Sequence, residues 1–124
     1  MSSVDASDDS FKHLGHLCEA DPRSWVPVDA NFVWHVREGD TASRWLLQFR
    51  GNPEVRRLSS SEPAPSDCQL ASSASVAEAI FSGELSPQRA FLAGEIELAG
   101  NLRAALRFNV LIEQFCKTTP APIY

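Results

Sequence analysis

The segment that most constrains the fold is the run of residues 81–108, which reads FSGELSPQRAFLAGEIELAGNLRAALRF. Gly83 ends one predicted helix, and Ser86 followed by proline is a typical start for the next. Residues 95–99 alternate charged and apolar side chains, which is the period of a half-exposed strand. Asn101 is a good cap for a final helix. The run therefore predicts helix, helix, strand and helix in quick succession, and it contains no obvious catalytic group.

Two alternating segments before this run predict an antiparallel hairpin with one strongly apolar face. Residues 31–37 and 44–50 have strand period, and residues 38–40 form the turn between them. The side chains of the apolar face are Phe32, Trp34, Val36, Trp45, Leu47 and Phe49.

Shorter signals supply the remaining elements. A first helix is predicted from Ser10 to before Asp21, and residues 54–58 and 67–71 are predicted as the third and fourth strands. Ser75 and Glu78 match a capping box at the start of the helix that precedes Gly83. Because strands and helices segregate along the chain, the order favours an α+β fold with helices on one sheet face.

The composition favours a single globular domain, and the cysteines favour a reducing compartment. The chain has 124 residues, of which 44% are hydrophobic and 22% charged. Residues 1–9 are acidic and polar and are predicted to be a disordered tail, leaving residues 10–124 as one domain. The three cysteines form no CxxC pair, which favours the cytoplasm over a secreted disulfide framework.

Charge and segment length exclude several classes of partner. The net charge of -5 argues against nucleic acid and against anionic lipid surfaces. No apolar run approaches the length that crosses a membrane, so we expect no stable membrane insertion. We also expect neither a secretory leader nor a peroxisomal address at the C-terminus.

The candidate catalytic and metal-binding groups form no convincing set. His13 and His16 are three residues apart, with Cys18 close in sequence, but no third ligand can be identified elsewhere. Cys68 and His35 are conceivable as nucleophile and base, although Cys68 has the sequence setting of a core residue. Gly-x-Ser-x-Gly and phosphate-cradling glycine motifs are absent from the sequence. We therefore predict no catalytic residue, no metal and no cofactor.

The segment 83–106 resembles the sterol carrier protein 2 (SCP2) sterol-binding domain family. Its spacing matches the family pattern without gaps, and the resemblance extends over about residues 28–116. The matching residues are Gly83, Leu85, Pro87, Ala90, Phe91, Gly94, Ile96, Leu98, Gly100, Asn101, Ala105 and Leu106.

The resemblance implies a mixed five-stranded sheet, helices packed on one face, and an apolar tunnel between them. It also implies a non-enzymatic domain that binds or carries a fatty acid, a sterol or a similar lipid. Gln88 is the polar residue expected near the ligand's head group. The residues predicted to contact the ligand are Trp34, Leu47, Phe49, Phe81, Gln88, Phe91, Leu102, Leu106, Leu111 and Phe115.

Two positions depart from the family pattern. Family members usually carry lysine where this chain has Glu84 and Glu95, and those lysines favour anionic membranes or acyl-CoA head groups. Arg103 and Arg107, four residues apart on the last helix, restore some positive charge there. The change from lysine to glutamate at positions 84 and 95 supports a second hypothesis. In it, the chain holds an apolar quinone, polyketide or isoprenoid intermediate for partner enzymes.

Overall fold

The computed structural model describes residues 3–64 and 66–118, and within them every side chain except those of residues 3–7 and 102. The predicted order of helices and strands is confirmed. The elements are α1 (Ser3–Ala20), a 3₁₀ helix (Pro22–Val28), β1 (Asn31–Glu38), β2 (Thr41–Gln48), β3 (Glu54–Leu58), β4 (Cys68–Ser73), α2 (Ala74–Ser82), α3 (Pro87–Leu92), β5 (Ile96–Gly100) and α4 (Leu102–Thr118).

The five strands form one mixed sheet in the order β3-β2-β1-β4-β5. β1 and β2 pair as the predicted antiparallel hairpin, with Trp34 opposite Trp45. β4 runs parallel to β1, and β5 is antiparallel to β4. β5 therefore lies at an edge of the sheet, where its charged side chains discourage pairing with another strand.

The helices cover one face of the sheet, and the main core lies between the two layers. The apolar face of the hairpin is buried there, together with Phe11 and Leu14 of α1 and Phe108 of α4. A smaller cluster on the other face consists of Val33, Leu46 and Leu58, with Ala64 packed against it. The predicted α+β class and five-stranded sheet are confirmed.

The predicted caps are confirmed at two helices and wrong at one. The side chain of Ser86 accepts a hydrogen bond from the amide of Arg89 at 3.2 Å, and that of Asn101 accepts one from Arg103 at 2.8 Å. At α2, however, Ser73 rather than Ser75 accepts from the amide of Val76, at 3.2 Å. The helix begins earlier because β4 runs directly into it, and no loop separates the two elements.

The first helix begins at Ser3, whereas the sequence predicted a start at Ser10. Residues 3–9 of the predicted tail are thus helical, and residues 1 and 2 lie outside the described residues. Acidic residues in the first turns complement the positive end of the helix dipole, which explains why a polar segment can be helical. Asp8 also pairs with Arg57 of β3 at 3.3 Å, so the second turn is tied to the sheet.

The 3₁₀ helix was not predicted. It has Pro22 and Pro27 within a seven-residue span, and a buried side chain anchors it, since Trp25 packs against Phe49 with ring centroids 5.9 Å apart. The sequence also predicts that Pro120 and Pro122 mark the end of the last helix, and these two residues lie outside the described part of the chain. Within the described part of the chain, no helix combines the length and the apolar character needed to cross a bilayer.

Candidate functional site

A cavity of about 270 Å³ lies at one end of the sheet, between the sheet and the helices α3 and α4. Its volume is close to the lower end of the range of about 300–1,000 Å³ that is usual for ligand pockets. The lining residues are Cys68, Pro87, Gln88, Phe91, Ile96, Leu98, Ala99, Gly100, Asn101, Ala105, Leu106, Phe108 and Asn109. The cavity lies where the resemblance implied an apolar tunnel; that it continues as a tunnel stays a prediction.

Gly100 shapes the wall where β5 ends. Its φ is 118°, and an added Cβ would lie 2.6 Å from the carbonyl oxygen of Asp67. The next amide, that of Asn101, donates to the same oxygen at 2.8 Å. The missing side chain therefore lets β5 end directly against the start of β4. The chain enters α4 at this point, so the close approach fixes where the helix begins beside the cavity.

Small side chains keep the space open. Ala99 and Ala105 line the cavity from β5 and α4, where larger residues would fill it. At the mouth, the side chains are large and apolar but exposed to solvent: Phe91 is 51% exposed and Leu106 is 66% exposed. Apolar side chains of α3 and α4 thus form part of the exposed rim of the cavity, beside the exposed polar residues Gln88 and Asn101.

The cavity wall is uncharged. None of the described residues that line it carries an ionic side chain, and its polar side-chain groups are the amides of Gln88, Asn101 and Asn109 with the thiol of Cys68. Burial raises the pKa of the Cys68 thiol, and the nearby negative charge of Asp67 adds to this rise. A backbone hydrogen bond with Ala99 acts in the opposite direction and lowers the pKa. The thiol therefore stays neutral at physiological pH, and the wall offers an apolar surface with a few neutral hydrogen-bonding groups.

The structure divides the predicted ligand-contact residues into two groups. Gln88, Phe91 and Leu106 line the cavity. The side chain of Leu102 lies outside what the structure describes. The other six are buried in the core, at most 4% exposed and away from the cavity lining: Trp34, Leu47, Phe49, Phe81, Leu111 and Phe115. Ligand contact by any of these residues stays a prediction.

Aromatic rings fill the part of the core in which several of these residues lie. Phe11 of α1 stacks on Trp45 with centroids 4.8 Å apart and meets Trp34 and Phe81 edge-on, at 5.3 and 5.0 Å. Phe108 packs against Trp34 at 5.2 Å and also lines the cavity. Phe108 is therefore the partition between the filled core and the open space.

Sequence reasoning missed ten of the thirteen lining residues as ligand contacts: Cys68, Pro87, Ile96, Leu98, Ala99, Gly100, Asn101, Ala105, Phe108 and Asn109. The signal that could have found most of them was the glycine-punctuated run already singled out, since residues 83–106 supply ten of the thirteen lining positions. Large apolar residues were preferred as candidates instead, and those residues mostly fill space.

The catalytic pair considered from the sequence does not form. Cys68 lies beside Phe32 in the parallel β1–β4 ladder, and His35 lies beside Ala71. Because the two positions are three residues apart along the register, their side chains point to opposite faces of the sheet. His35 is instead 3.2 Å from the side-chain oxygen of Gln69. Among the described residues, moreover, no three His, Cys, Asp or Glu side chains are grouped so that they could hold a metal ion.

Comparison with known proteins identifies the fold family. A family model described as the SCP-2 sterol transfer family matches residues 11–113. The chain belongs to this family. The resemblance inferred from residues 83–106 is thereby confirmed.

Three similar proteins illustrate the range of the family. The mouse peroxisomal multifunctional enzyme type 2 is 28% identical over 113 residues, which are 86% of this chain but only 15% of that enzyme. The solution structure of sterol carrier protein 2 from Aedes aegypti in complex with palmitate has a TM-score of 0.67 and 15% identity, covering 87% of this chain and 94% of that one. UbiJ-SCP2, a ubiquinone synthesis protein, has a TM-score of 0.59 and 17% identity, covering 94% of each chain.

Proposed function

We propose that this chain binds a long apolar molecule, such as a lipid chain, in the cavity between β5, α3 and α4, and releases it unchanged. The observation that carries the proposal is the open cavity with an uncharged, mainly apolar wall and a partly apolar rim. Membership of the SCP-2 sterol transfer family supports it, and so does the palmitate bound to the Aedes aegypti relative.

Removal of apolar surface from water is the driving force for such binding. Each buried methylene contributes about 0.8 kcal/mol. A ten-carbon chain would thus gain about 8 kcal/mol, close to the free energy of micromolar binding before the entropy lost on association is subtracted. A preformed cavity keeps that loss small, since the wall need not be ordered by the ligand.

The size of the cavity suggests how a longer molecule would lie. A volume of about 270 Å³ is small for a whole lipid, so part of a long chain would rest on the exposed rings and branches of Phe91 and Leu106. These side chains would then be covered by the ligand, which accounts for two large apolar residues standing in solvent.

Binding without catalysis agrees with the chemistry of the site. The thiol of Cys68 is neutral, and His35, the base considered from the sequence, points to the other face of the sheet. The mouse relative is named as an enzyme, but this chain corresponds to only 15% of its length. We therefore assign the chain a carrier role. Its three cysteines are free thiols, which favours the reducing cytoplasm as its location.

A second candidate function is the holding of an apolar biosynthetic intermediate, such as a quinone, a polyketide or an isoprenoid, for a partner enzyme. The fold similarity to UbiJ-SCP2, a ubiquinone synthesis protein, favours it. So do the exposed Glu84 and Glu95, because negative charge disfavours docking on anionic membranes. Lipid identification and partner capture separate this role from general lipid carriage.

The proposal is tested by titrating the purified protein with decan-1-ol in a calorimeter, beside native mass spectrometry and organic extraction of the freshly purified protein. We expect saturable binding with a stoichiometry of one. In Ala105→Trp, an indole placed on the cavity wall should abolish it, whereas Ala20→Trp, at an exposed helix position outside the lining, should bind normally. Absence of binding in the folded wild type, or unchanged binding in Ala105→Trp, would contradict the proposal.

A further inference from the structure

The polar groups of the cavity bear on the chemistry of the ligand's head. Three side-chain amides line the cavity, and an amide offers both donors and an acceptor without carrying charge. The amide oxygen of Asn101 already accepts the bond that caps α4, which leaves its NH₂ group. Within the described part of the chain, no hydrogen bond to another residue occupies the side chains of Gln88 and Asn109.

Charged residues lie within two positions of lining residues along the chain, but among the described residues none lines the cavity. Two of them are engaged elsewhere: Asp67 pairs with Arg50 at 3.3 Å and accepts the amide of Asn31 at 2.8 Å, and Arg107 donates to the carbonyl oxygen of Pro27 at 3.2 Å.

The remaining charged neighbours are exposed. They are Arg89 of α3, Glu95 before β5, Glu97 of β5 and Arg103 of α4. Arg107 keeps its charge when it donates to a neutral carbonyl group, so three positive and two negative side chains lie near the lining positions, all of them exposed to solvent. Solvent also screens exposed charges of this kind.

We infer that the cavity selects a ligand whose polar end is uncharged, a hydroxyl or a carbonyl oxygen, over a carboxylate or a phosphate. The inference rests on the proposed function, since it concerns the same cavity. An ionised head that leaves water needs a cation or several donors to replace its hydration, and the wall supplies no cation. A hydroxyl or carbonyl group is satisfied by the free amides of Gln88 and Asn109.

The test compares three ten-carbon probes on the full chain at pH 8: decan-1-ol, decan-2-one and decanoate. We expect the two neutral probes to bind at least about tenfold more tightly than decanoate, which is fully ionised at this pH. The alcohol and the ketone separate a head group that donates from one that only accepts. Equal affinity for decanoate and the neutral probes would overturn the inference and leave the proposed function intact. Failure of all three to bind would overturn the proposed function itself.

A variant that introduces a positive charge sharpens the test. In Asn109→Lys an ammonium group is introduced at a lining position, so decanoate should bind at least about tenfold more tightly than to the wild type. Asn52→Lys adds the same charge in the exposed turn before β3. It should leave the affinities for decanoate and for decan-1-ol unchanged. If Asn52→Lys strengthens decanoate binding as much as Asn109→Lys, the preference reflects the overall charge of the protein, and the inference is wrong.

Discussion

The two ends of the core differ in the size of their side chains and in how closely they pack. Between α1, α2 and the hairpin, the rings of Phe11, Trp34, Trp45 and Phe81 meet at 4.8–5.3 Å and leave no lining residue of the cavity among them. Between β5, α3 and α4, alanine and glycine replace large side chains, and about 270 Å³ stays open. The difference suggests that the first region holds the fold together and that the second is free to serve a ligand.

The largest effect should come from the filled region. Trp34→Ala removes a fully buried ring that contacts Phe11, Phe81 and Phe108 and leaves the hydroxyl of Ser72 without the indole N–H that donates to it at 2.9 Å. We expect the free energy of unfolding to fall by about 3–5 kcal/mol, measured by urea denaturation. A loss below about 1 kcal/mol would show that the rings are not the main source of stability.

An intermediate effect should come from the wall between the regions. Gly100→Ala places a Cβ against the backbone of Asp67 in a chain segment whose φ of 118° already disfavours a side chain. We expect a loss of about 2–3 kcal/mol and weaker decan-1-ol binding, because the end of β5 must move. Gly39→Ala is the control: its φ is 58° and nothing lies within 4 Å, so only backbone strain of about 1 kcal/mol is expected. Equal losses in the two variants would mean that the close approach at Gly100 is unimportant.

The smallest effect on stability should come from the rim. Phe91→Ser removes a half-exposed ring that lines the mouth, so the free energy of unfolding should change by less than about 0.5 kcal/mol. Affinity for decan-1-ol should nevertheless fall about fivefold, since the ring would no longer cover the bound chain. Leu92→Ser, at the neighbouring position that is 83% exposed and outside the lining, should change neither quantity. Identical behaviour of the two variants would remove Phe91 from the site.

The sequence predicted the elements well where local chemistry decides them. Gly83, with a φ of 85°, ends α2 because glycine adopts this conformation without strain, and Ser86 and Asn101 cap the next helices because their side chains reach free amides. The start of α1 and the cap of α2 depended on tertiary contacts or on continuity with β4, and there the predictions were wrong.

The position of the cavity could not be predicted in the same way. Trp34 and Phe91 are both large apolar residues in strongly patterned segments, yet the first is fully buried and the second is 51% exposed at the rim. Which of them meets empty space depends on how β5 and α4 lie relative to the sheet, and that follows from the approach of Gly100 to Asp67. The local pattern of apolar and polar residues does not show where such a cavity will lie.

The edge position of β5 has a mechanical consequence. A strand with a hydrogen-bonded neighbour on one side only can move outward by giving up a single ladder, here the one with β4. The wall of the cavity can therefore yield without disturbing β1, β2 or the rings packed on them. For the carrier role proposed above, loading and unloading would then be local events at the margin of the sheet.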